Sequence, residues 1–180
     1  MSWEASVLAL FEDLEQQAAG LQLVERDLEV AELTVAEYSR ISLAERLHAS
    51  LGRDLRVRLV GGRQVSGRLA RVGEDWMLLV DGATEWVVRT AGVVSLSGLS
   101  PRADNAETWS ATDRLSLRAL LRRLSADSAG CLIHFVDDQQ LQGRIGRVGQ
   151  DFVEVHVGEG ASRSTQVVQV AGVAALQEQS

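Results

Sequence analysis

Arginine and aspartate residues recur at equivalent positions in two stretches of the chain that lie 76 residues apart. The recurring pairs are Arg68 and Arg144, Arg71 and Arg147, and Asp75 and Asp151. Guanidinium groups bind phosphate, so these arginines together with Arg89 are candidate contacts for RNA or another anion; surface arginines also commonly pair with carboxylates. An aspartate in a turn can contact a ligand or accept hydrogen bonds from backbone N–H groups. We favour the structural interpretation for both residue types.

The chain offers no constellation typical of catalysis or metal binding. It has one cysteine, Cys131, and three histidines, His48, His134 and His156, with no cysteine-rich or metal-ligand spacing. No phosphate-binding loop, dinucleotide fingerprint or nucleophile elbow occurs. We therefore expect no enzymatic activity, no catalytic or metal site and no cofactor. We interpret Cys131 as a small core residue of a strand, and His134 and His156 as partly buried strand residues.

The composition indicates a folded protein without a membrane span. Hydrophobic residues make up 46% and charged residues 24% of the 180 positions. No run approaches 18 consecutive apolar residues, and the first 30 residues contain one basic residue and no long apolar run. We expect a cytoplasmic protein with no signal peptide.

Residues 1–40 differ from the rest of the chain in charge and in periodicity. They contain nine acidic residues and two arginines, which account for the whole net charge of −7. Apolar residues recur from Trp3 to Tyr38 at alternating spacings of four and three, which predicts a long acidic helix with a heptad pattern. The helix could be continuous or could form a hairpin between Gln17 and Gly20. Its main apolar positions are Val7, Leu10, Leu14, Leu21, Val24, Leu28 and Val35.

An apolar face of this size is rarely left in water, so we predict that this helix is an interaction element. The acidic residues that flank it disfavour a parallel pairing with its own copy and favour a basic counterpart. A basic cluster near the middle of the chain is a possible counterpart, within one chain or across a dimer. It consists of Arg114, Arg118, Arg122 and Arg123.

The remainder of the chain contains an internal repeat. Residues 57–82 match residues 133–158 at an offset of 76, and residues 87–96 match residues 167–176 at an offset of 80. Each copy predicts a short helix followed by five short strands, the longest of which bends at an internal glycine. The predicted helices span residues 43–51 and 113–126. The predicted domains are an N-terminal helix (1–40), a first copy (41–97), a linker (98–111) and a second copy (112–180).

The glycine pattern of the repeat resembles the Sm-like fold of the Sm, Lsm and Hfq proteins. The first copy carries the pattern Val57-x-Leu59-x-Gly61-Gly62-x-x-Val65-x-Gly67-x-Leu69-x-x-Val72. The resemblance covers residues 42–96 and again 114–176. It implies an α+β protein with two tandem Sm-like or SH3-like five-stranded barrels, each preceded by a short helix. Members of the family assemble barrels into rings through edge strands and bind single-stranded RNA in loop pockets.

The two turns that match the family's RNA-binding loop depart from its pattern. They are one residue longer than the family's turn and lack its Asn, reading Val72-Gly73-Glu74-Asp75-Trp76 and Val148-Gly149-Gln150-Asp151-Phe152. The resemblance therefore carries over the fold and not the RNA pocket. The preferred function is a non-enzymatic protein-interaction or scaffold module, with a protein partner or self-association through the N-terminal helix or the barrel edges. The alternative is an Sm-like RNA-binding protein, and we expect no membrane or DNA partner.

Overall fold

The computed structural model describes residues 38–106, 109–127, 130–158 and 160–178. The chain divides after Ile41, and the residues from Ser42 onward form one compact unit. The predicted N-terminal helix lies outside the described residues, so its role as an interaction element stays a prediction. Within the described part of the chain, no helix is long and apolar enough to cross a membrane.

Two short helices, α1 (Leu43–His48) and α2 (Leu117–Ala126), begin at serine residues that cap their N-termini. The Ser42 hydroxyl accepts the Glu45 N–H, and the Glu45 carboxylate accepts the Ser42 N–H at 2.7 Å, which completes a capping box. Helix α2 begins at Leu117 and not at the predicted residue 113. The reason is that the Ser116 hydroxyl accepts the Ala119 N–H, while residues 111–114 form a separate 3₁₀ turn.

Within residues 38–178, apart from the short undescribed gaps, ten strands form one continuous antiparallel sheet. In chain order they are β1 (Asp54–Leu59), β2 (Gln64–Val72), β3 (Trp76–Asp81), β4 (Thr84–Arg89), β5 (Val93–Ser97), β6 (Gly130–Phe135), β7 (Gln140–Val148), β8 (Phe152–Val157), β9 (Ser164–Gln169) and β10 (Val173–Glu178). Across the sheet the order is β5-β1-β2-β3-β4-β10-β6-β7-β8-β9. The first half (α1 and β1–β5) and the second half (α2 and β6–β10) therefore have the same internal strand order, and β4 and β10 join them.

The prediction of two tandem five-stranded barrels is wrong, because the sheet is a single open one. Strand β4 pairs with β10 in an antiparallel register, so neither half closes on itself at this point. An unpaired strand edge leaves backbone N–H and C=O groups without partners, and pairing the two edges satisfies them. The individual elements were predicted more accurately than their arrangement, since each half contains the predicted short helix followed by five strands.

Each half has a hydrophobic core that also includes residues from the other half. The core of the first half contains Leu47 of α1 and strand residues such as Val57, and it takes in Ala174 and Ala175 from β10. In the second half, the core takes in Trp76 from β3. The two halves therefore share buried surface as well as a strand pair, which favours their folding as one unit.

The segment predicted as a linker is bound to α1 and to the turn that follows it. The Ser100 N–H donates to the Ser50 hydroxyl at 2.8 Å, and the Arg46 guanidinium donates to the Ser100 carbonyl oxygen at 2.8 Å. Farther along, the Trp109 ring stacks on His48 with the ring centroids 4.0 Å apart. The described part of this connection therefore packs on α1 and the turn that follows it.

Candidate interaction edges of the sheet

The two aspartates that recur in the repeat have different surroundings. The Asp75 carboxylate accepts the Leu117 N–H at 2.6 Å, at the first residue of α2, so it has a structural role at the start of that helix. Asp151 occupies the equivalent turn of the second half, and its side chain is exposed. Its carbonyl oxygen accepts the Val170 N–H at 2.8 Å, as the Asp75 carbonyl accepts the Thr90 N–H at 2.9 Å.

The candidate anion-binding arginines are spread over the sheet. Arg147 forms two hydrogen bonds with the Glu154 carboxylate, at 2.9 and 2.8 Å, and these bonds lower the pKa of that carboxyl group. Arg89 donates to the Ala171 carbonyl oxygen at 2.9 Å. Arg68 and Arg144 are exposed on β2 and β7, and four strands lie between β2 and β7 in the sheet order. Arg71 is also exposed, at the end of β2 near the Asp113 carboxylate.

The arginine cluster predicted as the counterpart of the acidic helix lies on and just before α2. Two of its members already form contacts within the chain. Arg118 donates to the Gln150 carbonyl oxygen at 3.2 Å, and Arg123 forms a salt bridge of 3.3 Å with Asp127. Arg114 and Arg122 are exposed. Whether this cluster binds the acidic N-terminal segment stays a prediction.

Cys131 is buried on β6, as the sequence predicts for a small core residue. Burial raises the pKa of its thiol to about 11. Because the thiolate is the reactive form, this raised pKa makes the buried side chain a weak nucleophile at neutral pH.

The junction between β4 and β10 shows how one edge of this sheet binds another. Its backbone register places Trp86 opposite Gln177, Val87 opposite Leu176 and Val88 opposite Ala175. The Val87 side chain packs against the core of the second half. The junction therefore combines strand pairing with apolar packing.

Polar contacts and a close backbone approach complete the junction. Arg63 and Asp138, from equivalent turns of the two halves, form a salt bridge of 3.2 Å. A Cβ atom added to Gly92 would lie 3.1 Å from the Ala174 Cα, so the glycine permits the close approach. In the part of the chain that the structure describes, no atom lies within 4 Å of a Cβ added at Gly172, the equivalent residue of the second half. The surface beside this glycine is therefore covered by β10 at Gly92 and open at the equivalent Gly172.

Strands β9 and β5 are the two outer edges of the sheet and are the repeat equivalents of β4 and β10. Each pairs with one neighbour among the described residues, β9 with β8 and β5 with β1. Val167, the equivalent of the packed Val87, is 67% exposed. Val94 is 53% exposed, whereas its equivalent in the junction, Ala174, is 1% exposed. The two outer edges thus carry exposed apolar residues at positions that are covered inside the chain.

No protein-family model and no curated protein matches this chain. The two outer edges are the candidate functional site because they carry Val167 and Val94 exposed at positions whose equivalents are covered in the junction. The sequence predicts interaction through barrel edges in general but does not single out these two strands. The sequence feature that could have pointed to β9 is the match of Val87 with Val167 at an offset of 80, because the same apolar residue recurs in both halves.

His134 is a buried titratable residue at the junction. Its ring centroid lies 4.9 Å from that of Trp86, and neither ring nitrogen has a hydrogen-bond partner among the described residues. Burial and the positive charge of Arg63 lower its pKa from 6.5, while Gln177 and Asp138 oppose the shift. Gln177 is near the ring but does not satisfy hydrogen-bonding geometry with either nitrogen. The folded protein therefore favours the neutral imidazole.

We expect the free energy of unfolding to decrease when the pH is lowered from 7.5 to 5.5. The unfolded chain takes up a proton on His134 near its ordinary pKa of 6.5, whereas the folded chain resists protonation until the lowered pKa. The contribution of the neutral His134 ring to the free energy of unfolding is therefore fully present above pH 6.5. It is lost as the pH falls toward the lowered pKa. His48, whose pKa is also lowered by burial, acts in the same direction. Urea unfolding at both pH values measures the difference.

His134→Phe tests the contribution of the buried imidazole, because phenylalanine keeps an aromatic ring against Trp86 and does not titrate. This variant should lose less stability than the wild type between the two pH values. Equal losses would show that His134 is not a source of the acid sensitivity.

Proposed function

We propose that this protein is a non-enzymatic scaffold that self-associates through the two outer edges of its sheet. The observation that carries the proposal is Val167, which is 67% exposed on β9 although its equivalent, Val87, packs against the core of the second half. An exposed strand edge with apolar side chains is a template for pairing with another strand. The partner that fits it best is the opposite edge, β5, of a second copy.

The register of this contact follows from the junction within the chain. If β9 and β5 pair as β4 and β10 do, Val167 lies opposite Leu96 of the second copy. Gln166 then lies opposite Ser97, and Val168 lies opposite Ser95. Such a contact joins two different surfaces, so each copy still offers one free edge of each kind. The contact therefore propagates head to tail and forms either a ring or an open chain.

The composition of the two edges supports a contact between copies. Gln166 and Ser97 replace Trp86 and Gln177, so the outer contact is more polar than the junction within the chain. A more polar edge is compatible with a chain that folds alone and then associates. An RNA-binding function, a contact through the N-terminal helix and a cytoplasmic location stay predictions.

Val167→Lys should weaken self-association at least about tenfold, equivalent to about 1.4 kcal/mol, because it places a charge at the centre of the proposed strand pair. The fold should be unchanged, since Val167 is mostly exposed. Sedimentation velocity over a concentration series measures the association. Ala70→Lys is the matched control, because Ala70 is exposed on β2, away from both outer edges of the sheet.

The proposal fails if the wild-type chain remains a monomer over the whole concentration series. It also fails if Val167→Lys and Ala70→Lys both associate as tightly as the wild type. Circular dichroism of both variants establishes that the sheet is retained.

A further inference from the structure

An aromatic residue follows the turn between the second and third strands in each half. Trp76 begins β3 and its indole lies over Gly73, while Phe152 begins β8 and its ring lies over Gly149. In both turns, a side chain on the glycine would collide with the aromatic ring. The two rings are therefore held in the same way by their own turns.

The Trp76 ring belongs to the core of the opposite half. Its indole N–H donates to the Leu115 carbonyl oxygen at 2.8 Å, just before α2. The ring shares a buried cluster with Leu117 and Leu121 of that helix. Leu117 is 0% exposed as a result of the packing around it. Trp76 therefore acts as an anchor from the first half to the helix of the second half.

Helix α1 has leucines at the same positions as α2 but has more open surroundings. Leu43 and Leu47 are the first and fifth residues after the capping serine, as Leu117 and Leu121 are in α2. Leu43 is 42% exposed, unlike Leu117. A groove of about 310 Å³ lies beside α1, and its lining includes Leu43, Ala44 and Leu47. The groove is large enough to receive a phenyl ring.

We propose that Phe152 of one copy inserts into this groove of the next copy, against Leu43 and Leu47. The inference rests on the proposed function, because pairing of β9 with β5 of another copy brings Phe152 toward α1 as the junction brings Trp76 toward α2. Phe152 is partly exposed within the chain, and its insertion would bury apolar surface on both copies. The occupant of the groove is thus a specific side chain of a second copy.

Cross-linking between two singly substituted chains tests this contact. One population carries Phe152→Cys and the other carries Leu43→Cys, while the native Cys131 is buried and its pKa is raised to about 11. After mixing, a short bismaleimide reagent should give a covalent dimer, whereas each population alone should give none. Asp81→Cys, at an exposed residue at the end of β3, replaces Phe152→Cys in the control mixture and should give no dimer.

A second variant guards against loss of folding by the Phe152 substitution. Leu43→Glu places a charge in the groove at a partly exposed position, so it should leave the sheet intact and weaken self-association at least about tenfold. Leu43→Met is the matched control and should associate as the wild type does.

The inference is overturned if the wild type self-associates but the mixed chains give no covalent dimer and Leu43→Glu associates normally. That result would also follow if the N-terminal segment of the same chain occupied the groove, and the edge pairing would then stand without this anchor. A chain that does not self-associate at all would overturn both the edge pairing and the anchor.

Discussion

Gly67→Val should lower the free energy of unfolding by about 3 kcal/mol, a large fraction of the stability of a small protein. A Cβ atom at Gly67 would lie 2.9 Å from the carbonyl oxygen and 3.0 Å from the carbonyl carbon of Val80. These are backbone atoms of the neighbouring strand β3, so they cannot move away without disturbing the pairing of β2 with β3. Valine adds two further methyl groups at the same crowded position. Urea unfolding of both proteins measures the difference.

Gly172→Ala is the control for this prediction. No atom of the described residues lies within 4 Å of a Cβ added at Gly172, so the unfolding free energy should change by less than about 0.5 kcal/mol. Unfolding should be measured at low protein concentration, where the chain is monomeric, because Gly172 lies at the proposed contact between copies. If Gly67→Val unfolded at the same urea concentration as the wild type, the close approach of β2 to β3 would be wrong.

Trp76→Ala should be the most destabilising of the substitutions at the boundary between the two halves, with a cost of about 3–5 kcal/mol. The Trp76 side chain is buried, and its removal leaves a cavity beside Leu117 and Leu121 of α2. It also leaves the Leu115 carbonyl oxygen without the indole donor. Because the ring joins β3 to the second half, hydrogen exchange of the α2 backbone should accelerate along with the loss of global stability.

Phe152→Ala is the matched comparison, since it removes the aromatic ring from the equivalent turn. Phe152 is only partly buried, so its truncation should cost less stability in the isolated chain than truncation of Trp76. Equal losses for the two variants would contradict the assignment of Trp76 as the anchor between the halves. A smaller loss for Phe152→Ala combined with weaker self-association is the result that the proposed contact between copies requires.

Several local features follow directly from the sequence because they depend on residues close together in the chain. The alternation of Leu55, Val57 and Leu59 with polar residues predicts a strand, and these three side chains are buried on β1. The turn between β1 and β2 contains Gly61 and Gly62, with φ angles of 90° and 96°, conformations that other residues rarely adopt. Such features are local, so a short window of sequence contains their physical cause.

The roles of the candidate site residues depend on contacts over long sequence separations. The sequence places Asp75 in a turn but cannot show that its carboxylate accepts an N–H from Leu117, which is 42 residues away. In the same way, the sequence shows that Val87 and Val167 are equivalent. Only the structure shows that one is packed and the other exposed.

The sequence by itself determined the helix and five strands of each half and the correspondence of the two halves, whereas the tertiary structure decided how the strands pair. Strand pairing uses backbone N–H and C=O groups that every non-proline residue carries, so side-chain patterns do not identify the partner of an edge strand. The choice of β10 as the partner of β4 depends on the packing of Val87 and Trp76 against the opposite half. That packing exists only after distant parts of the chain meet, and for that reason the barrels predicted from the sequence gave way to one continuous sheet.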